Sequence, residues 1–314
     1  MKDFKHWGLR MRLDPQNNYK ALWHNLKTLR LGEGKAGNLP IDTKEFYDIG
    51  INTKCNALCP FCYVSANHNG ENYSNICETW IKWMSKHSDK KEGNVIITTK
   101  PFQIAIGSTG EATIHPEFCD FLQTVYCTDV VPNYTTNGLI LSAWSYPNSK
   151  DYELANRILD YTSEFVGGVA ISYGNKAIRN KADWAIRGLI EKGNTNINIH
   201  HLISTKESVD EFLQEWLRWE DKILYHVLLP LMPEGRSNEG IQEGVFEYLE
   251  NVINKYNVKN VAFGANFIKN LETSNIKTWL YDEHSLSANV ILKPNEVILT
   301  KSSFDLKPIK ILNL

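Results

Sequence analysis

An open, partial (β/α)6 barrel of TIM-like character is the fold this sequence predicts, and three observations point to it. Six short β-favouring runs alternate with six helical patterns between about residues 46 and 256. Most successive strands are separated by roughly 30 residues, the length of a right-handed βαβ repeat. Six units fall short of the eight that close a full barrel.

The elements justify themselves in order. FYDIGIN (46–52) is the first strand and runs directly into a cysteine-bearing loop. ICETWIKWMSKH follows as a helix, with Asn75 as N-cap and Glu78 three residues on, a capping-box arrangement. FQIAIGS (102–108) ends in a Gly-containing turn before the helix HPEFCDFLQTVY. VVPNYTTNG (130–138) precedes DYELANRILDYTSE, and VGGVAISYG (166–174) precedes KADWAIRGLIEKG, where Gly193 suits a helix C-terminus. NINIHHLIS (196–204) leads to SVDEFLQEWLRWE, and ILYHVLLPLMP (223–233) to EGVFEYLENVINKY. Beyond residue 257, NVAFGANF and ANVILKPNEVILT read as strands of a small β addition capping the barrel. The expected divisions are a basic N-terminal extension (1–44), the barrel (45–256) and a C-terminal extension packing on it (257–314).

The chain has 314 residues, 42 % of them hydrophobic and 22 % charged, enough for a full-sized core. No apolar run reaches the roughly 18–20 residues of a membrane span. The N-terminus is charged and lacks the apolar stretch of a signal peptide, so a cytoplasmic protein is expected. A formal net charge of −2 gives no whole-molecule pull toward nucleic acid or acidic lipid. Residues 1–40, however, carry eight basic residues against three acidic ones, with Trp7, Tyr19 and Trp23 interleaved. Such an arm fits phosphates and stacked bases, or is a solvated hairpin packed on the main domain. Charge reversal at Arg10, Arg12 and Lys27 separates the two: only in the first case does it weaken substrate binding alone.

Three of the six cysteines, Cys55, Cys59 and Cys62, fall within eight residues, too close for a disulfide framework in a reducing compartment. Their C-x3-C-x2-C spacing supplies three thiolates to a cubane cluster and leaves the fourth iron open. Pro60 and Ala57 favour a wrapping loop over a helix. The other metal reading is tetrahedral zinc, with His68 completing a Cys3His set.

The cysteine spacing, Phe61 just before the third cysteine, and the position after the first strand resemble the radical S-adenosylmethionine (SAM) superfamily. The resemblance covers about residues 46–235. It implies a [4Fe–4S] cluster on Cys55, Cys59 and Cys62 whose open iron is chelated by SAM. Reductive cleavage of SAM then gives methionine and a 5′-deoxyadenosyl radical that abstracts hydrogen from substrate, with the protein positioning the reactive carbon. It also implies an electron donor of ferredoxin or flavodoxin type.

Other strand ends extend the likeness. Gly107-Ser108-Thr109-Gly110-Glu111-Ala112 looks like the family's Gly-Gly-Glu-Pro segment, which accepts the SAM ammonium, with Thr109 and Ala112 departing from it. Thr135-Thr136-Asn137-Gly138 resembles the strand-end TNG, which places Asn137 at the SAM site, unless it is an ordinary Asn-Gly turn. Ser172 matches a position that contacts the SAM ribose or carboxylate. His200 and His201 are adjacent on a strand, so one faces the barrel interior, toward SAM or substrate, and the other the helices. Leu229 and Met232 pack either the adenine or the core. Cys77, Cys119 and Cys127 read as buried small hydrophobes, so one cluster is expected.

Two functions follow: a radical SAM enzyme acting on a nucleotide, peptide or polar small molecule, or a non-catalytic zinc or iron–sulfur scaffold. Glu111, Asn137 and Ser172 together favour the enzyme, since a scaffold needs none of them.

Overall fold

The computed structural model describes residues 4–31, 33, 34, 38–264, 267, 287–301 and 306–314. Six β/α units are present as expected: β4 (Phe46–Gly50) with α1 (Ile76–Met84), β7 (Gln103–Ile106) with α2 (Phe118–Cys127), and β8 (Val131–Thr136) with α3 (Tyr152–Phe165). They continue with β9 (Gly168–Ser172) and α4 (Arg179–Glu191), β10 (Ile197–Ile203) and α5 (Lys206–Trp219), and β11 (Tyr225–Pro230) and α6 (Val245–Tyr256). Gly193 lies just past α4 at φ +78°, where glycine carries no Cβ penalty.

All six strands are parallel neighbours in one ten-stranded sheet. The described C-terminal strands join the barrel's own sheet. β12 (Val261–Phe263) adds a parallel strand to one edge, while β13 (Ser287–Lys293) pairs in parallel with β4 at the other. β14 (Glu296–Thr300) and β15 (Pro308–Asn313) then continue outward antiparallel. An open strand edge presents unpaired N–H and C=O groups, and β13 satisfies those of β4. Residues 265–266 of the NVAFGANF run lie outside the described residues.

The core shows why the sheet works. Tyr47, Ile49, Ile104, Ile106, Val169, Ile171, Ile197 and Ile199 alternate along the strands and are buried beneath the helices. Trp80 and Trp83 of α1 join them, Trp83 lying 5.1 Å from the Tyr47 ring and Trp80 6.0 Å from Phe121. Losing one such tryptophan costs about 3–5 kcal/mol. The opposite strand face is polar: Asp48, Asn133, Thr135, Ser172, Asn198 and His200 are half-buried there. A parallel sheet covered by helices on both faces is apolar on both, so this face is an interior open at its mouth.

The α1 start differs from expectation. Asn75 sits in the left-handed region at φ 57° and makes no side-chain cap. Glu78 pairs with Lys82 one turn on instead of reaching back, and the Asn75 N–H donates to Glu117 Oε1. A residue at positive φ cannot aim its side chain along the helix entry as an extended N-cap does.

The N-terminal extension forms a second sheet. β1 (Leu9–Asp14), β2 (Tyr19–His24) and β3 (Lys27–Arg30) combine with a hairpin, β5 (Asp89–Glu92) and β6 (Val95–Thr98), inserted between α1 and β7. Its buried face, with Phe4, Tyr19, Ala21 and Trp23, packs on Phe102 and Val131, where β7 and β8 begin. This sheet therefore covers the N-terminal ends of the barrel strands. Arg10 and Arg12 are 1 % and 2 % exposed. Arg12 donates to the carbonyls of Thr98 (2.8 Å), Thr43 and Lys100, and Arg10 to that of Asp129. Burial lowers the Arg12 pKa to about 10, so it stays charged at neutral pH. The phosphate-binding reading therefore does not hold for Arg10 and Arg12, which staple strand connections at the end opposite the cysteines. Lys2, Asp3 and Lys35 of that arm lie outside the described residues.

Candidate cofactor site

The cysteine loop leaves β4 and is closed at its base by backbone bonds from Thr53 N–H to Glu71 O and Tyr73 N–H to Ile51 O. Cys55 N–H donates to Asn67 O at 2.9 Å, and Cys62 N–H to Cys59 O at 3.2 Å. All three thiols are free and half-buried. Burial pushes the Cys55 thiol up to about 11. It also raises Cys59, against the pull of a hydrogen bond from Asn175 and the Arg236 charge. Binding a metal would displace these protons.

The segment after β7 presses directly on this loop. A Cβ at Gly110 would stand 2.5 Å from Asn52 Oδ1 and 2.7 Å from Lys54 O, so only glycine permits the approach. Thr109, which departs from the family pattern, donates to Asn52 O at 2.6 Å. It fills space that Gly50 leaves, since a Cβ there would meet Thr109 Oγ1 at 2.3 Å. Glu111 is 4 % exposed. Its carboxylate accepts from Thr113 N–H and Oγ1, from Thr136 Oγ1 (2.7 Å) and from Asn137 N–H (2.8 Å). Burial raises its pKa against those bonds. A carboxylate offers about four acceptor sites. Three of these bonds fall on Oε1 and one on Oε2, so Glu111 braces the ends of β7 and β8 beside the loop.

Asn137 faces the cysteines. Its Nδ2 donates to Asn56 Oδ1 at 2.8 Å and lies 3.9 Å from Cys55 Sγ. Phe61 rests in the barrel mouth: its ring would meet a Cβ at Gly174 at 3.0 Å, and Leu202 Cβ stands 3.2 Å from the same point. Ser172 and His200 are direct register partners on β9 and β10, on the polar interior face. Burial pushes His200 down to about 4, so it is a neutral imidazole at pH 7. His201 faces the helices, bonded to His226 Nδ1 at 2.9 Å and 5.2 Å from the Phe212 ring. Leu229 points inward beside Gly264, and Met232 is half-buried in the loop after β11. A crevice of about 580 Å³ opens beside the loop, lined by Phe61, Tyr173, Gly174, Leu202, Arg179 and Arg236. That volume lies in the ordinary range for small-molecule sites.

Sequence reasoning missed three contributors. Arg236, in the loop after β11, donates from Nε to Cys59 O at 2.7 Å and from Nη1 to Ala66 O at 2.9 Å. Its own N–H donates to Cys62 O, and Gly235, at φ +66°, has no room for a Cβ against that carbonyl. Asn175, beyond β9, donates to Cys59 Sγ at 3.3 Å. Only the Gly235 turn left a mark in the sequence. Of the remaining cysteines, Cys119 is buried as expected, whereas Cys77 is only half-buried and Cys127 is exposed at the end of α2.

Among the described residues no three His, Cys, Asp or Glu side chains converge closely enough to hold a single ion. His68, the fourth ligand of the zinc reading, is exposed. A cubane spreads its thiolates over separate irons, so its ligands need not converge on one point. Three free thiols on one closed loop, with N–H donors already aimed at two of the sulfurs, fit that group.

Solved structures of SuiB from Streptococcus suis share this architecture. Its complex with S-adenosylmethionine matches at a TM-score of 0.53 and 12 % identity, covering 82 % of this chain and 60 % of SuiB. The chain has the fold of SuiB. The SuiB complex with the precursor peptide SuiA matches at 0.54 and 14 %, covering 82 % and 59 %. The chain thus spans about 60 % of SuiB's length. No family model matches the sequence, and no curated protein matches it. No helix among the described residues is long and apolar enough to cross a membrane.

Proposed function

We propose that this chain is a radical SAM enzyme in which Cys55, Cys59 and Cys62 hold a [4Fe–4S] cluster over the barrel mouth. One observation carries the reading: Asn137 links the buried Glu111 to the cysteine loop, so the strand-end residues that the family resemblance singles out meet the thiols in space. Parallel α/β proteins concentrate their chemistry at these C-terminal strand ends. When bound, the cluster supplies the electron that cleaves a carbon–sulfur bond of SAM to give methionine and a 5′-deoxyadenosyl radical.

The chain's own residues do the rest. Phe61 offers a ring beside the crevice for the adenosyl group, with Gly174 leaving the space it needs. Gly110 keeps the β7 end against the loop, and the Glu111 carboxyl behind it, with a single chain bond on Oε2, would accept from the SAM ammonium. Ser172 and the neutral His200 present hydrogen-bonding groups from the interior face to SAM or substrate. The polar interior suits a substrate with polar groups. A peptide is the favoured class, supported by the peptide complex of SuiB. The basic arm lends no support to nucleic acid, because it lies at the other end of the strands. A ferredoxin or flavodoxin serves as reductant.

The test is anaerobic reconstitution with iron and sulfide, addition of dithionite and SAM, and quantification of 5′-deoxyadenosine. Product that vanishes when all three cysteines become alanine supports the assignment. No product, with one tightly held zinc and no iron–sulfur absorption, sinks it in favour of a metal-stabilised scaffold.

A further inference from the structure

Two asparagines at neighbouring strand ends turn their amide N–H groups toward cysteine sulfurs, and each is held in that orientation by the backbone. Asn175 Oδ1 accepts from Ala177 N–H at 3.1 Å, which leaves Nδ2 facing Cys59 Sγ at 3.3 Å. Asn137 Oδ1 accepts from Leu139 N–H at 2.9 Å, which leaves Nδ2 toward Asn56 Oδ1 and Cys55 Sγ. Amide orientation is ordinarily a matter of assignment. Here a flip would set an NH2 against a backbone N–H in both turns and lose the bond that closes each one. Cys55 Sγ also accepts from Ala57 N–H at 3.4 Å.

We propose that Asn175, with a smaller contribution from Asn137, sets the reduction potential of the cluster. The inference rests on the reading of Cys55, Cys59 and Cys62 as its ligands. One-electron reduction adds negative charge that spreads onto the ligating sulfurs. An N–H donor aimed at a sulfur stabilises that charge and raises the potential. Asn175 is the stronger of the two because its contact is 3.3 Å against 3.9 Å, and a hydrogen bond to sulfur fades over that interval. Neither residue binds iron in this account. Both act through the thiolates, as positioning and tuning groups.

The experiment compares the wild type with Asn175→Asp, Asn175→Ser and Asn137→Asp. Each is purified anaerobically, reconstituted without SAM, checked for iron and sulfide content, and titrated with the reduced-cluster EPR signal as readout. Asn175→Asp keeps an oxygen for Ala177 N–H but replaces the donor with a negative acceptor, so its midpoint falls the most. Asn175→Ser keeps an oxygen for the turn and exchanges the amide donor for a shorter hydroxyl without adding charge, so its midpoint falls less. Asn137→Asp falls less than Asn175→Asp. Equal midpoints in all four fully loaded proteins overturn the proposal. So does a folded Asn175→Ser protein that holds no cluster, since Asn175 would then build the site rather than tune it. A wild type that takes up no cluster refutes the ligand assignment itself, and it does so before any variant is compared.

Discussion

Replacing Arg236 by alanine removes the clasp that the loop after β11 places on the cysteine loop. The guanidinium makes two hydrogen bonds to backbone carbonyls, at 2.7 Å to Cys59 and 2.9 Å to Ala66. Hydrogen bonds from charged donors are worth about 1.5–3 kcal/mol each. Arg236 is only half-buried, so the lower end applies, and the pair contributes about 2–3 kcal/mol to keeping the loop closed. At about 1.4 kcal/mol per decade this is roughly a 30- to 140-fold rise in local opening. Hydrogen exchange read by mass spectrometry reports it directly. Peptides covering residues 55–67 should lose protection by that factor, while peptides from β10 keep theirs, because the barrel core does not depend on Arg236. Arg236→Lys should recover only part of the effect, since one ammonium lacks the guanidinium fork that spans two carbonyls. Unchanged exchange at 55–67 in Arg236→Ala would refute the clasp. Parallel loss across the whole barrel would show a general stability role instead.

Two further outcomes follow from the packing and the buried charges. Gly50→Ala should destabilise by about 1–3 kcal/mol through the clash with Thr109, and Thr109→Gly in the same chain should relieve most of it. Urea unfolding of both single variants and the double variant checks this, and simple additivity would contradict the proposed fit. Burial lowers His226 to about 4 and holds His201 well below its ordinary value, so in acid the unfolded chain takes up protons that the folded one refuses. Stability should therefore fall as pH drops from 6.5 toward 4, by about 1.4 kcal/mol per pH unit per histidine. Asp48, raised to about 7 by burial, works the other way between 3.8 and 7, because there the folded state binds the extra proton. Asp48→Asn should accordingly steepen the acid loss and raise stability at pH 8. Thermal melts from pH 4 to 8 read both effects, and a flat profile would refute the neutral burial of the histidine pair.

Several features of the site were legible because their causes are local. The cysteine spacing shows three thiols on one loop, and the strand-end glycines show where backbone must come close. His200 and His201 were divided between interior and helices by strand alternation alone. Other features depend on chain segments distant in sequence. Arg236 meets Cys59 across 177 residues and Asn175 meets it across 116, and no periodicity relates them. The hydroxyl and N–H that Thr136 and Asn137 give to Glu111 come from the end of β8, which only folding brings alongside.

The sequence by itself determined the six β/α units, because hydrophobic period and turn residues act within a dozen positions. It also determined the grouping of the cysteines. Only the tertiary structure decided what the two ends of the chain do. β13 completes the free edge of β4, and the basic arm closes the opposite end of the barrel with two buried arginines. Charge and aromatic content describe a surface only when the side chains stay on it. Arg10 and Arg12 left it because unpaired carbonyls at the strand entrances needed donors, a demand visible only once the strands stand side by side.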